Sequence, residues 1–404
     1  MAISRHGAYG STSIGDGIDM GRTQLNGVPP SDYTGKAMIV FTDGLQNEPR
    51  SIEEVSSSIN SQTFAIGLGT ETQVNTLALY NITRGSGGYL LLSGLMGASV
   101  SDRYRLSKFF MQILANVTNT EIVKDPDGYI NTGTRLRIPF DLCEADINAR
   151  IILLNEFPVI HLSIETPVGQ LINTTNAGSY NTSFDSNNRD TVTAYFAMPM
   201  VKDGTINHGG RWYAVLEVDD EAYRKYLHDK QHANDLRTKG SKYSVSVHAF
   251  SNLKMRATLN QSGMEPGATI TLRSSLTEYD VPVQQRVSVV AEVQEPDQSK
   301  TIVTLSQAEP GIYESSMIAT MSGIYHVHIV ATGVNYKGKP FTREQILTGA
   351  VFIGGNNPAT VADPFGRGGA ATKDDCCKST MRLLWIISVL LLLILIALII
   401  EWKQ

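Results

Sequence analysis

The stretch Met38-Ile39-Val40-Phe41-Thr42-Asp43-Gly44-Leu45 decides how the N-terminal part of this chain is read. Its run from Met38 to Phe41 is apolar, partly β-branched and aromatic, which predicts a strand buried on both faces. The run stops at Thr42-Asp43-Gly44. A carboxylate beside a glycine at the C-terminal end of a buried strand lies where open α/β sheets place ligand chemistry. An Asp there can also simply open a turn.

The neighbours extend this pattern in both directions. Upstream, Gly10 and Ser11 form a loop, Thr12 or Ser13 caps a helix, and Asp16 stands in its first turn, where a carboxylate suits the helix dipole. Ile14, Ile18 and Leu25 give that helix an apolar face. Downstream, Ser51 and Glu54 have the spacing of a capping box. Thr63 to Gly69 reads as a second buried strand, Thr72 to Tyr80 as a short helix and Tyr89 to Leu92 as a third strand. Ser101 to Asn116 has apolar residues at helical spacing. Residues 1–117 are therefore expected to be an α/β domain with a parallel sheet.

This segment resembles the second half of a von Willebrand factor type A domain. The resemblance rests on Gly10 to Ile18, on the strand ending Thr42-Asp43-Gly44, on Phe64 to Gly69, and on Leu77 through Gly88-Tyr89. It implies a metal-ion-dependent adhesion site in which Thr12 gives its hydroxyl and Asp43 its carboxylate to Mg²⁺, or to Mn²⁺ or Ca²⁺. Hard oxygen ligands suit these cations. The family's Asp-x-Ser-x-Ser strand should precede Thr12, and it is missing; Asp297-Gln-Ser299-Lys-Thr301 comes far too late. The site is thus expected to be incomplete, binding metal weakly or not at all. Either the chain is an N-terminally truncated form, the expectation adopted, or another chain supplies the absent strand.

After Ile122 the pattern changes. Asp125-Pro126-Asp127-Gly128 signals a turn. Short alternating runs follow at Arg135 to Phe140, Arg150 to Leu154, Val159 to Glu165, Thr191 to Met198, Arg211 to Val218 and Ser241 to Phe250. They predict a β-sandwich over 122–256, with a polar helical insertion at 219–240. Residues 257–355 repeat the theme, and Pro310-Gly311-Ile-Tyr313 with Gly323-Ile-Tyr325-His-Val327 resembles the late strands of immunoglobulin-like modules. A flexible stalk is expected at 356–382.

Leu383 to Ile400 then runs without a charge, with Ser388 its one polar residue and Trp385 and Trp402 near its ends. That pattern predicts a transmembrane helix. The expected fold is thus a partial α/β domain, two all-β sandwiches and one spanning helix. The positive-inside count around that run points one way, while the large folded part and its sequons favour an extracellular N-terminal side.

Net charge is -5, leaving no basic footprint for nucleic acid. With 42% hydrophobic and 18% charged residues, the chain has the composition of folded domains. Three cysteines, Cys143 and the adjacent Cys376 and Cys377, give neither a disulfide framework nor a metal-thiolate spacing. His326 and His328 share a strand face, and His161 and His248 also lie in strands; solvent-facing positions are expected for them. His228 and His232 lack a His-Glu-x-x-His context. No nucleophile elbow or phosphate loop occurs, so an enzyme is not expected. Two functions remain open at this point. One is a membrane-anchored cell-surface protein that binds a protein or other macromolecule through a degenerate type A site. The alternative is an accessory subunit of a membrane channel or secretion assembly.

Overall fold

Ser13 starts the first helix. Its hydroxyl accepts from the Asp16 amide at 3.3 Å and donates to the Asp16 carboxylate at 2.9 Å, closing the N-terminus of α1 (Ile14–Gly27). Ile14 and Ile18 are buried on its inner face. Three parallel strands follow, β1 (Met38–Thr42), β2 (Thr63–Gly67) and β3 (Leu90–Leu92), in the order β1-β2-β3. The computed structural model describes residues 13–29, 35–42, 50–72, 74, 76–83, 88–97, 99–188, 190–228, 233–283 and 286–356. Helix α2 (Thr76–Thr83) joins β2 to β3, and α3 (Val100–Val117) follows, capped by the Ser99 side chain.

β2 is buried at every position, as a central strand should be. β1 is not. It is only partly covered, and Phe41 is 48% exposed, packed on Phe110 of α3 at 5.9 Å between ring centroids. The expectation of a strand buried on both faces is corrected here. Among the described residues β1 pairs with β2 alone, so it is an edge.

The next strands form two facing antiparallel sheets and a separate two-stranded hairpin, β12 with β13. Their elements are β4 (Thr120–Lys124), β5 (Asp127–Ile130), β6 (Arg135–Leu142), β7 (Asp146–Asn155), β8 (Ile160–Glu165), β9 (Leu171–Ile172), β10 (Thr182–Asn188), β11 (Thr191–Ala197), β12 (Met200–Lys202), β13 (Thr205–Asn207), β14 (Gly210–Val218) and β15 (Ser241–Ser251). One sheet runs β10-β11-β7-β15-β4 and the other β6-β14-β8-β9. Alternate side chains of both meet in one core around Trp212, which stacks on Phe196 at 5.1 Å. The polar insertion is helical as expected, forming α4 (Asp220–Leu227) and α5 (Ala233–Lys239); Asp219 caps α4 by accepting from the Glu221 and Ala222 amides.

The last strands are β16 (Leu253–Gln261), β17 (Ala268–Glu278), β18 (Val281–Pro282), β19 (Val287–Gln294), β20 (Lys300–Glu309), β21 (Ile312–Ala319), β22 (Gly323–Val334) and β23 (Pro340–Val351). They make one continuous sheet, β16-β17-β21-β20-β19-β22-β23. β20 pairs with β19 along its first half and with β21 along its second, so it links the two halves of the sheet. At the seam, β16 and β23 are bridged by side-chain amides. Gln345 accepts from the Ala257 amide at 2.9 Å and donates to the Ala257 carbonyl at 3.2 Å. Gln261 does the same to Ala350, at 3.1 and 2.8 Å. Two glutamines thus take the place of strand pairing, and the sheet is a nearly closed barrel.

The fold class is corrected accordingly. The described chain is mostly β: the second of the two expected sandwiches is a near-closed barrel, the parallel α/β elements are packed on it, and no described helix is long and apolar enough to span a membrane. Alternation with period two is the same in a sandwich and a barrel, so only the seam tells them apart. The α/β elements share a core with the barrel: Phe64, Leu91 and Phe109 pack with Leu347 and Val351. Polar ties reinforce this contact. The Leu92 amide donates to Thr348 at 2.8 Å, and Gln112 exchanges two hydrogen bonds with the backbone of Ile346, each 2.7 Å.

Among the described residues no helix is long and apolar enough to cross a membrane. Among the described residues the predicted single-pass arrangement has no helix to carry it, and the membrane-anchored readings built on it, both as surface protein and as channel subunit, are withdrawn. The run Leu383 to Ile400 and the stalk residues 357–382 lie outside the described residues.

Candidate ligand site at the end of the barrel

The predicted metal ligands Thr12 and Asp43 lie outside the described residues. Among the described residues no group of three or more His, Cys, Asp and Glu side chains is placed to hold a metal ion. The histidines are not uniformly solvent-facing. His248 is buried in β15 against Ser246 at 2.8 Å, and burial pushes its ring down to about 4. His161 is exposed beside Asp219. His228 follows the last residue of α4, and His232 lies outside the described residues.

His326 and His328 line a cleft of about 530 Å³ where α3, the β4–β5 turn and the barrel meet. His328 bonds the buried Glu344 carboxylate at 3.1 Å, and Lys124 reaches the same carboxylate at 2.8 Å. Lys108 sits between Asp125 at 3.4 Å and Asp127 at 2.7 Å. Burial raises the Asp125 carboxyl to about 6, and burial lowers His326 to about 4. Most charges of this network pair with one another across three elements, although Asp125 Oδ1 is buried without a hydrogen bond. The network is a fastening between those elements, and the pairs leave little for a ligand.

A different arrangement occupies the far end of the barrel. A cavity of about 710 Å³ opens between the β17–β18 and β22–β23 hairpins. Tyr279 and Asp280 form a two-residue hairpin loop, because Glu278 pairs with Val281 on either side of them. Both have positive φ, 52° and 62°, the signature of a type I′ turn, for which Asn-Gly is the favoured sequence. A tyrosine held there is strained by roughly 1–2 kcal/mol. Such strain concentrates at functional sites. Opposite, Asn335 organises the β22–β23 turn, accepting from the Lys337 and Lys339 amides at 3.0 and 2.8 Å and donating to Glu144 at 3.0 Å.

The two hairpins present a pair of exposed rings. Tyr279 is 49% and Tyr336 68% exposed, and their centroids stand 6.2 Å apart at 70°. Beneath them is Glu278. One of its oxygens accepts from the Tyr336 amide at 3.0 Å; the other, Oε1, is buried and makes no hydrogen bond. Burial raises this carboxyl above its ordinary range, while the Tyr336 amide and the Asn335 side chain pull it back. Val281, Pro282 and Val334 supply apolar walls, and Arg286 is the second charged residue of the lining. A concave site with apolar walls and a few fixed polar groups, one acceptor left unmet, is the form of a small-ligand pocket.

This site was not legible in the motifs singled out from the sequence. The one signal was local: Glu278-Tyr-Asp-Val281 and Asn335-Tyr-Lys-Gly338 are both hairpin tips, and each carries a tyrosine where solvent-facing polar residues are usual. The turn strain gives a first expectation. Tyr279→Asn should raise stability in urea by about 1 kcal/mol, since Asn tolerates the left-handed region. A loss of stability would mean that the ring itself holds the hairpin.

No protein-family model matches this chain, and no curated protein matches it. Solved structures offer distant likenesses. A DUF4785 family protein from Legionella pneumophila matches at TM-score 0.34 and 13% identity, over 57% of this chain and 63% of that one. A Bacillus licheniformis lipase in its propeptide form matches at 0.28 and 10%, over 73% and 61%. A von Willebrand factor type A protein from Catenulispora acidiphila matches at 0.23 and 10%, over 68% and 47%. The chain spans less than two thirds of each of these structures. Likenesses this weak, spread over unrelated folds, assign no family. The resemblance to a type A domain drawn from the sequence is corrected: no family assignment is supported for this chain.

Proposed function

We propose that this protein binds a saccharide at the end of its barrel, without catalysing a reaction on it. The observation that carries this reading is the buried Glu278, its Oε1 without a partner, beneath the exposed Tyr279 and Tyr336. Tyrosine rings offer an apolar face for the C–H side of a sugar ring and a hydroxyl at the rim. A carboxylate oxygen and an amide such as Asn335 accept from and donate to sugar hydroxyls. A site whose buried acceptor is met only by a ligand hydroxyl discriminates strongly against compounds lacking it. The cavity lining carries one acid, Glu278, and one base, Arg286, which favours a neutral ligand over a polyanion.

A binding role also fits the placement of the titratable groups. Asp125 and His248, whose protonation burial displaces, sit in the β4–β5 turn and in β15, outside the lining of this cavity. Isothermal titration of the full chain with neutral hexose oligomers (cellohexaose, maltohexaose and mannohexaose) tests the proposal. At least one should bind, and Tyr336→Ala and Glu278→Gln should each weaken it about ten-fold, matching the ~1.4 kcal/mol of a single good contact. Absence of binding by all three, or binding indifferent to both substitutions, would overturn it.

A further inference from the structure

The barrel-end cavity is not isolated. A second cavity of about 750 Å³ shares Arg286 and Val334 with it and continues along the barrel wall. Its origin lies in the path of β20. That strand pairs with β19 only from Val289 onward, where Val289 faces Leu305. At Ser306 and Gln307 it turns to β21, facing Glu314 and Tyr313. Val287 and Ser288, at the start of β19, are then paired with β22 alone. The wall opens where β20 leaves β19, and the second cavity fills that opening.

The chemistry of the two cavities matches. Ser288, Thr304, Gln307 and Thr332 line the second one, giving hydroxyls and an amide beside the apolar Val287 and Leu305. Arg286 is its one charged lining residue, and it stands at the junction with positive φ of 54°. Each cavity has the volume of a pocket for one drug-sized ligand, on the order of 300–1,000 Å³. Two such pockets in series, joined at Arg286 and Val334 and lined largely by apolar and hydrogen-bonding groups, suit a ligand that repeats.

We infer that the ligand is a linear, neutral oligosaccharide that runs from the tyrosine pair across Arg286 into the opening beside β20. This rests on the saccharide reading above and adds the length and direction of the ligand. Tyr279 and Tyr336 hold one end; Thr304 and Gln307, both exposed on β20, contact later units. An extended peptide is less suited, because the lining offers no deep apolar pocket for alternate side chains.

The test is a chain-length series, from disaccharide to hexasaccharide, of the cello-, malto- and manno-oligomers, titrated into the full chain. The hexamer of the series that binds should bind at least ten-fold tighter than its dimer. Joint replacement Thr304→Val with Gln307→Ala should weaken the hexamer about five-fold and leave the dimer unchanged. These are exposed side chains, so an unchanged melting temperature confirms that the variant is folded. Equal affinity for dimer and hexamer, or a hexamer indifferent to the double replacement, would overturn the extended site and leave the barrel-end site standing. Binding of a Ser/Thr-rich decapeptide with no sugar bound would overturn both.

Discussion

Asp146→Ala should cost about 3–5 kcal/mol of stability, because it strands a fully buried guanidinium. Arg343 and Asp146 are both 0% exposed and meet at 2.6 Å. Arg343 also donates to the Leu253 carbonyl at 3.0 Å, to the Thr342 carbonyl at 2.8 Å and to Ser251 at 2.9 Å. The second oxygen of Asp146 accepts from the Cys143 amide at 2.8 Å. The pair ties the start of β7, the β15–β16 junction and β23 into one hydrogen-bonded node. Removing one partner leaves an uncompensated charge, whereas removing both leaves only a packing defect. The double variant Asp146→Leu with Arg343→Met should therefore be more stable than Asp146→Ala. Urea unfolding with an unchanged m-value reads both effects. A cost below about 1 kcal/mol for Asp146→Ala would show that water reaches the node.

Acid should destabilise the fold between pH 6.5 and 4, and His248 should account for much of the loss. Burial lowers both His248 and His326 from 6.5 to about 4. A depressed group contributes stability that is present above its unfolded pKa and lost as pH falls through the folded one. Burial acts in the opposite sense on Asp125, raising it from 3.8 to about 6. Its contribution is complete below 3.8 and disappears as pH rises through 6. Two histidines outweigh one carboxyl, so these groups leave a net acid loss of roughly 4 kcal/mol, a little more than one histidine's shift. His248→Gln keeps an acceptor for Ser246 and removes the titration. Its unfolding midpoint should change far less between pH 7 and pH 4.5 than that of the parent. An unchanged acid slope in the variant would place the lability elsewhere.

The parts of the fold that were legible are those where one rule acts alone. Phe64 to Gly67 is a buried strand because a continuous apolar run has no exposed face to offer. The cap at Ser13, one of the two the sequence offered, follows from a side-chain oxygen meeting an orphan amide. Trp212 to Val218 alternates and forms a sandwich strand. What failed to show was decided by contacts between distant segments. β23 contains Thr342-Arg343-Glu344-Gln345, a polar run that reads as surface, yet these residues are buried because the barrel lies on one side and α3 with β4 on the other. Gln261 and Gln345 look like solvent-facing glutamines until the seam brings them to opposite backbones. The candidate site was hidden for the same reason: Glu278 and Tyr336 are distant in sequence and meet only when two hairpins close one end of the barrel.

Asp43 led the reading of the sequence towards a metal at the edge of the parallel sheet. The structure moves attention to the opposite kind of chemistry, an unmet acceptor among aromatic rings on the barrel. Hydrogen–deuterium exchange of the full chain, with and without saturating cellohexaose, maltohexaose or mannohexaose, tests that claim most directly. The account predicts slower exchange confined to peptides covering Leu276–Val283, Ser306–Tyr313 and Thr332–Phe341. Protection confined to the charged cleft around Lys108 and His328, or no protection with any of the three sugars, would contradict it.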